Sequence, residues 1–522
     1  MHRRRLPWFV ALALLVSGLL AAIAAAPAPA IVVGWNAQPS QAPLNVPTPG
    51  LLGRAGLQRQ AGLQTQAALT WRRCEGGAAQ CTKLAVPLDD TVPDSPTIDL
   101  ALVRIPARDP DRRIGSLLIN PGGPGAPATD FAVDIAPSLP DEIQDRFDLV
   151  GFDPRGVGRS RGVDCTDDLD PFYALDWTPD TEAGRTALEA GVRDIVDACV
   201  QSDGDILPFL GTDRVARDMD LIRAALGDEK LTYLGYSYGT YLGAQFAAQF
   251  PQRVRALVLD GPVDPALDAE EVQVQQAEAF ERSLNLFFRD CAHNVDCAFH
   301  HGGDPAGAYD GLRARIDMTP IRASDAGHRR TLNTTLFDIG VTELLYSGED
   351  SWSILADALA AAEAGDGSDL VVEADAYTGR SGKGTYDDLQ EAFWAVGCVD
   401  GPDVGGVAGL RAIEEAAARA APRLGRSVVN NSLACAFWPV AAPPPVALHA
   451  PRSPALLVLG TRNDPATPLR WAKGLTKGLE SAVLVTVGGA RHTAFASGNQ
   501  CVDDIVVRYL VDDTVPKAGK RC

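Results

Sequence analysis

Short apolar runs, each ending abruptly at glycine, proline or one polar residue, recur along this chain between helix-length amphipathic stretches. That alternation restricts the fold more than any other feature. Ile98 to Ile105 is strand-like, and Ser116-Leu117-Leu118-Ile119-Asn120 runs into Pro121-Gly122-Gly123-Pro124-Gly125. Phe147 to Phe152 stops at Asp153-Pro154-Arg155-Gly156, and Leu231–Leu234 and Arg255–Leu259 follow. Between them, Thr212 or Asp213 is positioned to cap a helix reaching Leu226, with Val215, Met219, Ile222 and Leu226 on one face, and Tyr238 to Phe250 reads as another helix. Short apolar strands alternating with such helices predict an α/β chain with a mostly parallel sheet covered on both faces.

The rhythm breaks after Asp260. Residues 266–440 read mostly helical, as in Glu270–Arg289 and Trp352–Ala364. It returns after Pro443-Pro444-Pro445 with strand Ala455–Leu459, helix Leu469–Leu479, strand Ala482–Val487 and helix Val502–Leu510. The simplest partition is one α/β core, residues 71–265 and 441–522, with a large helical cap inserted before the last two strands.

The N-terminus carries Arg3-Arg4-Arg5, an apolar run from Trp8 to Ile23, and small residues at Ala24-Ala25-Ala26 or Ala28-Pro29-Ala30. This predicts a secretory signal peptide over residues 1–30, the alternative being an uncleaved anchor just long enough to span a bilayer. Residues 31–70, rich in Ala, Gly, Gln, Pro and Leu, read as a flexible linker or pro-segment. Ten cysteines, an even number spread in close pairs, suit disulfides in an oxidising compartment. With 47 Lys+Arg against 67 Asp+Glu the formal charge is −20, which disfavours nucleic acid or an anionic membrane surface as the main partner. No stable membrane insertion is expected once the signal is cleaved.

Gly235-Tyr236-Ser237-Tyr238-Gly239 fits G-x-S-x-G, the turn that presents a serine nucleophile between a strand and a helix. Such a serine needs a base, and the base an orienting acid, in the order Ser, Asp or Glu, His. Of the seven histidines only His492 follows a strand of the closing α/β segment. Asp464, after the preceding strand, is the candidate acid, and Asp260, at an earlier strand end, competes with it. The tetrahedral oxyanion needs preorganised donors. The Tyr238 amide is one, and the amide of Gly123 or Gly122 in the Asn120–Gly125 loop is the second. No metal or organic cofactor is needed. Cys291, His293, Cys297, His300 and His301 have zinc-like spacing, but a Cys291–Cys297 disulfide is the better reading.

Asn120–Gly125, Gly151-Phe152-Asp153-Pro154-Arg155-Gly156-Val157-Gly158-Arg159-Ser160, Gly235–Gly239 and Gly460–Pro468 together resemble the secreted tripeptidyl aminopeptidases of actinobacteria. These are relatives of proline iminopeptidase with the α/β-hydrolase fold, and the resemblance runs from about Trp71 to Cys522. It implies a serine exopeptidase acting on free N-termini, with Ser237, Asp464 and His492 as triad. The family's mycobacterial cell-envelope members are described as both carboxylesterases and peptidases, so an acyl-ester substrate is the alternative to a peptide. Relatives usually carry Gly before the histidine, where this chain has Arg491. The resemblance and the closeness of successive cysteines favour the pairs Cys74–Cys81, Cys165–Cys199, Cys291–Cys297, Cys398–Cys435 and Cys501–Cys522. An exopeptidase also needs a carboxylate for the substrate ammonium; Glu343, Glu349, Asp350 and Asp400 in the insertion are the candidates.

Overall fold

The computed structural model describes residues 69–522 apart from 75–76, 78, 325–329, 443 and 445–446. The expected signal peptide and the linker up to residue 68 lie outside the described residues. Among the described residues no helix is long and apolar enough to cross a membrane.

The strands in chain order are β1 (Arg72–Arg73), β2 (Gln80–Pro87), β3 (Thr97–Ile105), β4 (Gly115–Asn120), β5 (Phe147–Phe152), β6 (Leu231–Tyr236), β7 (Val254–Asp260), β8 (Ile321–Ala323), β9 (Arg330–Leu332), β10 (Leu456–Thr461) and β11 (Ala482–Val487). Among the described residues nine form one sheet in the order β1-β2-β3-β5-β4-β6-β7-β10-β11, while β8 and β9 make a separate antiparallel pair inside the insertion. From β5 to β11 every neighbouring pair is parallel; β1, β2 and β3 add an antiparallel flank. This is the mostly parallel sheet with helical insertions that the apolar runs predict.

The central strands read as continuous apolar runs because each side of the sheet has its own core. Leu118, Tyr233, Leu257 and Val458 face one core, and Leu117, Ile119, Leu234, Val258 and Leu457 the other, in the period-two alternation of a strand. The second core is closed by Ile135, Ile143, Ile505 and Tyr509 from helices Ala128–Ile135, Asp141–Arg146 and Gln500–Asp512. The first is shared with the insertion, whose helices Ala269–His293, Thr334–Tyr346, Ser368–Thr378 and Leu389–Asp400 bear on the site below. Residues before β6 also bond to the insertion: the Cys165 amide donates to Glu391 (3.1 Å), the Trp177 amide to Thr335 Oγ1 (3.1 Å), and Arg185 pairs with Glu414.

One local expectation is corrected. Neither Thr212 nor Asp213 caps the Thr212–Leu226 helix; the cap position is Gly211, and Thr212 lies in the first turn with its hydroxyl turned to Asp400 and Tyr238. The structure joins Cys74–Cys81, Cys165–Cys199, Cys291–Cys297, Cys398–Cys435 and Cys501–Cys522, so the sulfurs of Cys291 and Cys297 are not free thiolates for zinc. Cys501–Cys522 pins the C-terminal tail on the edge strand β11, where Cys522 and Lys520 exchange backbone hydrogen bonds with Thr486. That covers backbone groups an edge strand would otherwise present.

Candidate active site

The chain leaves β4 for β5 on one side and then crosses back over β4 to β6 on the other, so the direction of winding reverses at β4. In open α/β sheets this reversal opens a crevice at the carboxyl ends of the strands. Asn120 and Tyr236 end β4 and β6 there, and Asp260, Asp464 and His492 follow from the carboxyl ends of β7, β10 and β11.

Ser237 sits between β6 and the helix Gly239–Gln249 with φ +52°, a left-handed conformation that costs energy for any residue but glycine. Its amide donates to the Asp260 carbonyl (2.9 Å), and its own carbonyl accepts from the Thr240 amide (2.9 Å) and hydroxyl (2.6 Å). Both flanking glycines are sterically required. A Cβ on Gly235 would lie 2.3 Å from the Gly239 carbonyl oxygen, and one on Gly239 2.8 Å from Asn120. The pentapeptide can therefore close only with hydrogen at both positions.

Asp464 is fully buried and its carboxylate faces His492 Nδ1 at 2.9 and 3.0 Å. Amides of Ala466 (2.9 Å) and Thr467 (2.8 Å) and the Thr467 hydroxyl (3.1 Å) also donate to it, which fixes the ring orientation of the histidine it holds. His492 Nε2 is buried with no hydrogen-bond partner among the described residues. The insertion reaches this histidine as well: its amide donates to the Tyr346 carbonyl (2.8 Å), and the two rings meet edge-on at 5.4 Å. Gly348 is required there, since a Cβ would fall 1.4 Å from the Ala490 carbonyl oxygen. The competing acid, Asp260, does not bond to the imidazole. Its Oδ2 accepts the amides of Ala494 (2.9 Å) and Phe495 (2.7 Å), bracing the histidine loop from below. Burial pushes its carboxyl up to about 6, opposed by those amides.

In the Asn120–Gly125 loop, Gly122, Gly123 and Gly125 all have φ near +100°. The Gly122 amide donates to Asn120 Oδ1 at 2.9 Å, so it is not free for a ligand, and of the two glycine candidates Gly123 is the one left. Gly122 instead lets the loops approach, as a Cβ there would lie 2.9 Å from the Tyr238 nitrogen. Gly123, Ser237 and Tyr238 line the same cavity.

Residues 115–301 match the family model described as alpha/beta hydrolase fold, and residues 421–522 the model described as TAP-like protein. Serine protease Hip1 of Mycobacterium tuberculosis is 39% identical over 466 residues, 85% of this chain and 88% of that protein. The chain belongs to the TAP-like family of α/β hydrolases. Carboxylesterase B of Mycobacterium tuberculosis is 37% identical over 457 residues, covering 85% of this chain and 86% of that protein. Tripeptidyl aminopeptidase of Streptomyces lividans is 30% identical over 445 residues, covering 83% and 81%.

The cavity of this hydrolase holds about 870 Å³ and is walled largely by the insertion. Aromatic rings such as Trp177, Tyr241, Phe280, Trp394 and Trp438 give it an apolar lining. Its charged lining is Asp213, Asp264, Asp400 and Asp403 against Arg214, and Arg214 pairs with Asp89 (3.1 Å) and Asp90 (2.8 Å). Three of the four amine candidates are not in that lining. Glu349 is exposed; Asp350 is exposed and pairs with Arg491 at 3.0 Å, which gives the unusual arginine a partner on the insertion. Glu343 is half-buried, and burial with Glu373 nearby pushes its carboxyl up to about 8, which keeps it mostly uncharged at neutral pH. Asp400 does line the cavity, but its oxygens accept from the Thr212 amide (2.7 Å), the Thr212 hydroxyl and the Tyr238 phenol (2.9 Å). Sequence reasoning missed the partners of Asp400 and of the His492 amide, because they join segments more than a hundred residues apart and carry no local signature.

Proposed function

We propose that this hydrolase is a secreted serine exopeptidase that cleaves peptide bonds near free N-termini through an acyl-enzyme. Ser237 Oγ attacks the carbonyl carbon. His492 takes the serine proton at Nε2 and gives it to the leaving amine; Asp464 holds the Nδ1–H tautomer and stabilises the imidazolium. The amides of Tyr238 and Gly123 receive the oxyanion. Water then attacks the ester, with His492 again as base, and releases the acyl part as the new carboxylate.

The observation that carries the amine preference is the charge of the cavity. Arg214 is taken by Asp89 and Asp90, Asp213 by Arg217 and Asp400 by Thr212 and Tyr238, while Asp264 and Asp403 have no ion-pair partner among the described residues, so an ammonium is the ligand charge this wall favours. The relatives named serine protease and tripeptidyl aminopeptidase support the same reading. The five disulfides support an extracellular or cell-envelope location. A carboxylesterase is the second reading, favoured by the relative of that name and by a triad that does not itself distinguish ester from amide. The test is kcat/KM on a tripeptide anilide with a free and with an acetylated N-terminus. Leaving a pocket carboxylate unpaired costs about 2–5 kcal/mol, so acetylation should lower kcat/KM by at least ~30-fold. Equal rates on both would favour the esterase.

A further inference from the structure

The helix Leu389–Asp400 of the insertion touches both loops that carry the oxyanion donors, the glycine loop through its first half and Tyr238 at its end. At its start, Asp388 Oδ2 accepts the Gly158 amide (2.6 Å) and Glu391 Oε1 accepts the amides of Cys165 (3.1 Å) and Thr166 (2.9 Å), tying the helix to the core. At its middle it lies against the glycine loop: a Cβ on Gly125 would fall 2.7 Å from the Leu389 carbonyl oxygen and 2.8 Å from the Phe393 nitrogen. At its end, Asp400 bonds the phenol of Tyr238, the residue after the nucleophile, and both the amide and hydroxyl of Thr212. Thr212 Oγ1 and the Tyr238 phenol oxygen also meet, so the three groups form one cluster in which two hydroxyl protons are shared among three contacts.

Asp400 is a half-buried carboxylate at the cavity wall that faces three neutral donor groups and has no ion-pair partner among the described residues. Those bonds fix the Tyr238 side chain, and the Tyr238 backbone starts the helix behind Ser237. An oxyanion donor is effective only within about 2.7–3.1 Å of its target, and a misplacement of about 1 Å costs roughly 100-fold. We infer that the Leu389–Asp400 helix is the support of the oxyanion site, and that Asp400 is a positioning residue that sets the Tyr238 amide through the tyrosine phenol. This rests on the reading of Ser237 as nucleophile and of the Tyr238 amide as an oxyanion donor. It assigns Asp400 a task other than holding the substrate amine.

The test is a double-mutant cycle on Asp400→Asn, Tyr238→Phe and the pair, with Ser237→Ala as control. Each variant is assayed on a free-amine tripeptide anilide and on a short acyl ester. Each single change should lower kcat by about 10-fold or more on both substrates, with KM moving less than ~3-fold. The double variant should fall less than ~3-fold below the worse single, because both act through one contact. The rate of fluorophosphonate labelling should fall by the same factor. Should Asp400→Asn fold poorly, Thr212→Val removes one hydroxyl of the same network and should lower kcat in the same sense on both substrates. Multiplicative losses in the cycle overturn the inference, as does a KM increase confined to the free-amine substrate, the mark of an amine anchor. Turnover retained by Ser237→Ala would overturn both this and the reading it rests on; an inactive Ser237→Ala with a multiplicative cycle overturns this inference alone.

Discussion

Asp260 offers the sharpest separation between holding a histidine and holding the loop that carries it. Its Oδ2 accepts two buried amides, from Ala494 and Phe495, its main-chain carbonyl accepts the Ser237 amide, and its Oδ1 has no hydrogen-bond partner among the described residues. Asp260→Ala leaves two amides unsatisfied at about 1–3 kcal/mol each, so a stability loss of about 2–6 kcal/mol is expected. Asp260→Asn keeps one oxygen for both amides and removes the buried charge. The sign of the pH effect follows from the raised carboxyl. The folded state keeps the proton up to about pH 6, whereas the unfolded chain releases it near the ordinary aspartate value of 3.8. The stability this group contributes is therefore full below the lower value and is lost as pH rises through the higher one. A displacement from 3.8 to about 6 corresponds to an order-of-magnitude loss of ~3 kcal/mol, which the asparagine variant does not suffer. Urea unfolding at pH 4 and pH 7.5 should thus show Asp260→Asn gaining on the wild type by up to that amount at the higher pH. In parallel, kcat of Asp260→Asn should stay within about 10-fold of wild type, while Asp464→Asn should lose about 10⁴-fold through the wrong imidazole tautomer. A collapse of kcat in Asp260→Asn with near-normal rates in Asp464→Asn would refute the assignment of the two acids.

Glu391 accepts both of its backbone amides on Oε1, which leaves Oε2 to carry a proton, and burial pushes its carboxyl up to about 8. Its stabilising effect should be lost as pH rises from about 4.5 through 8, so the Tm of Glu391→Gln relative to wild type should increase between pH 5 and pH 9; a constant difference would contradict this. The Arg491–Asp350 pair has an aspartate side chain 70% exposed, so Arg491→Ala should shift stability by no more than about 1 kcal/mol and kcat/KM by less than ~5-fold. A larger kinetic loss would mean that Arg491 holds His492, which the backbone bond to Tyr346 already does.

The parallel half of the sheet was legible in the sequence because strands buried on both faces are written as unbroken apolar runs, and β5 and β11 appear at the bounds those runs predict. The flanking β2 was not. Only Leu84 and Val86 of its eight residues are buried, and a half-exposed strand of mixed composition has no such signature. The short β8 and β9 were hidden for the same reason inside a stretch that reads helical. In the candidate site, the order of Ser237, Asp464 and His492 could be read from motifs at strand ends. The choice between Gly122 and Gly123 could not, because it turns on where the Asn120 side chain points. The four carboxylates proposed for the substrate amine show the limit most clearly. Composition can say that the insertion is acidic, but which carboxylate is exposed, uncharged or already bonded depends on packing between distant segments.

The measurement that bears most directly on the central claim is to inactivate the native protein with a fluorophosphonate and map the adduct by peptide mass spectrometry. The account predicts one phosphonylated residue, Ser237, no labelling of Ser237→Ala, and loss of peptide and ester turnover in step with the extent of labelling. An adduct on another residue, or full labelling with turnover intact, would contradict it.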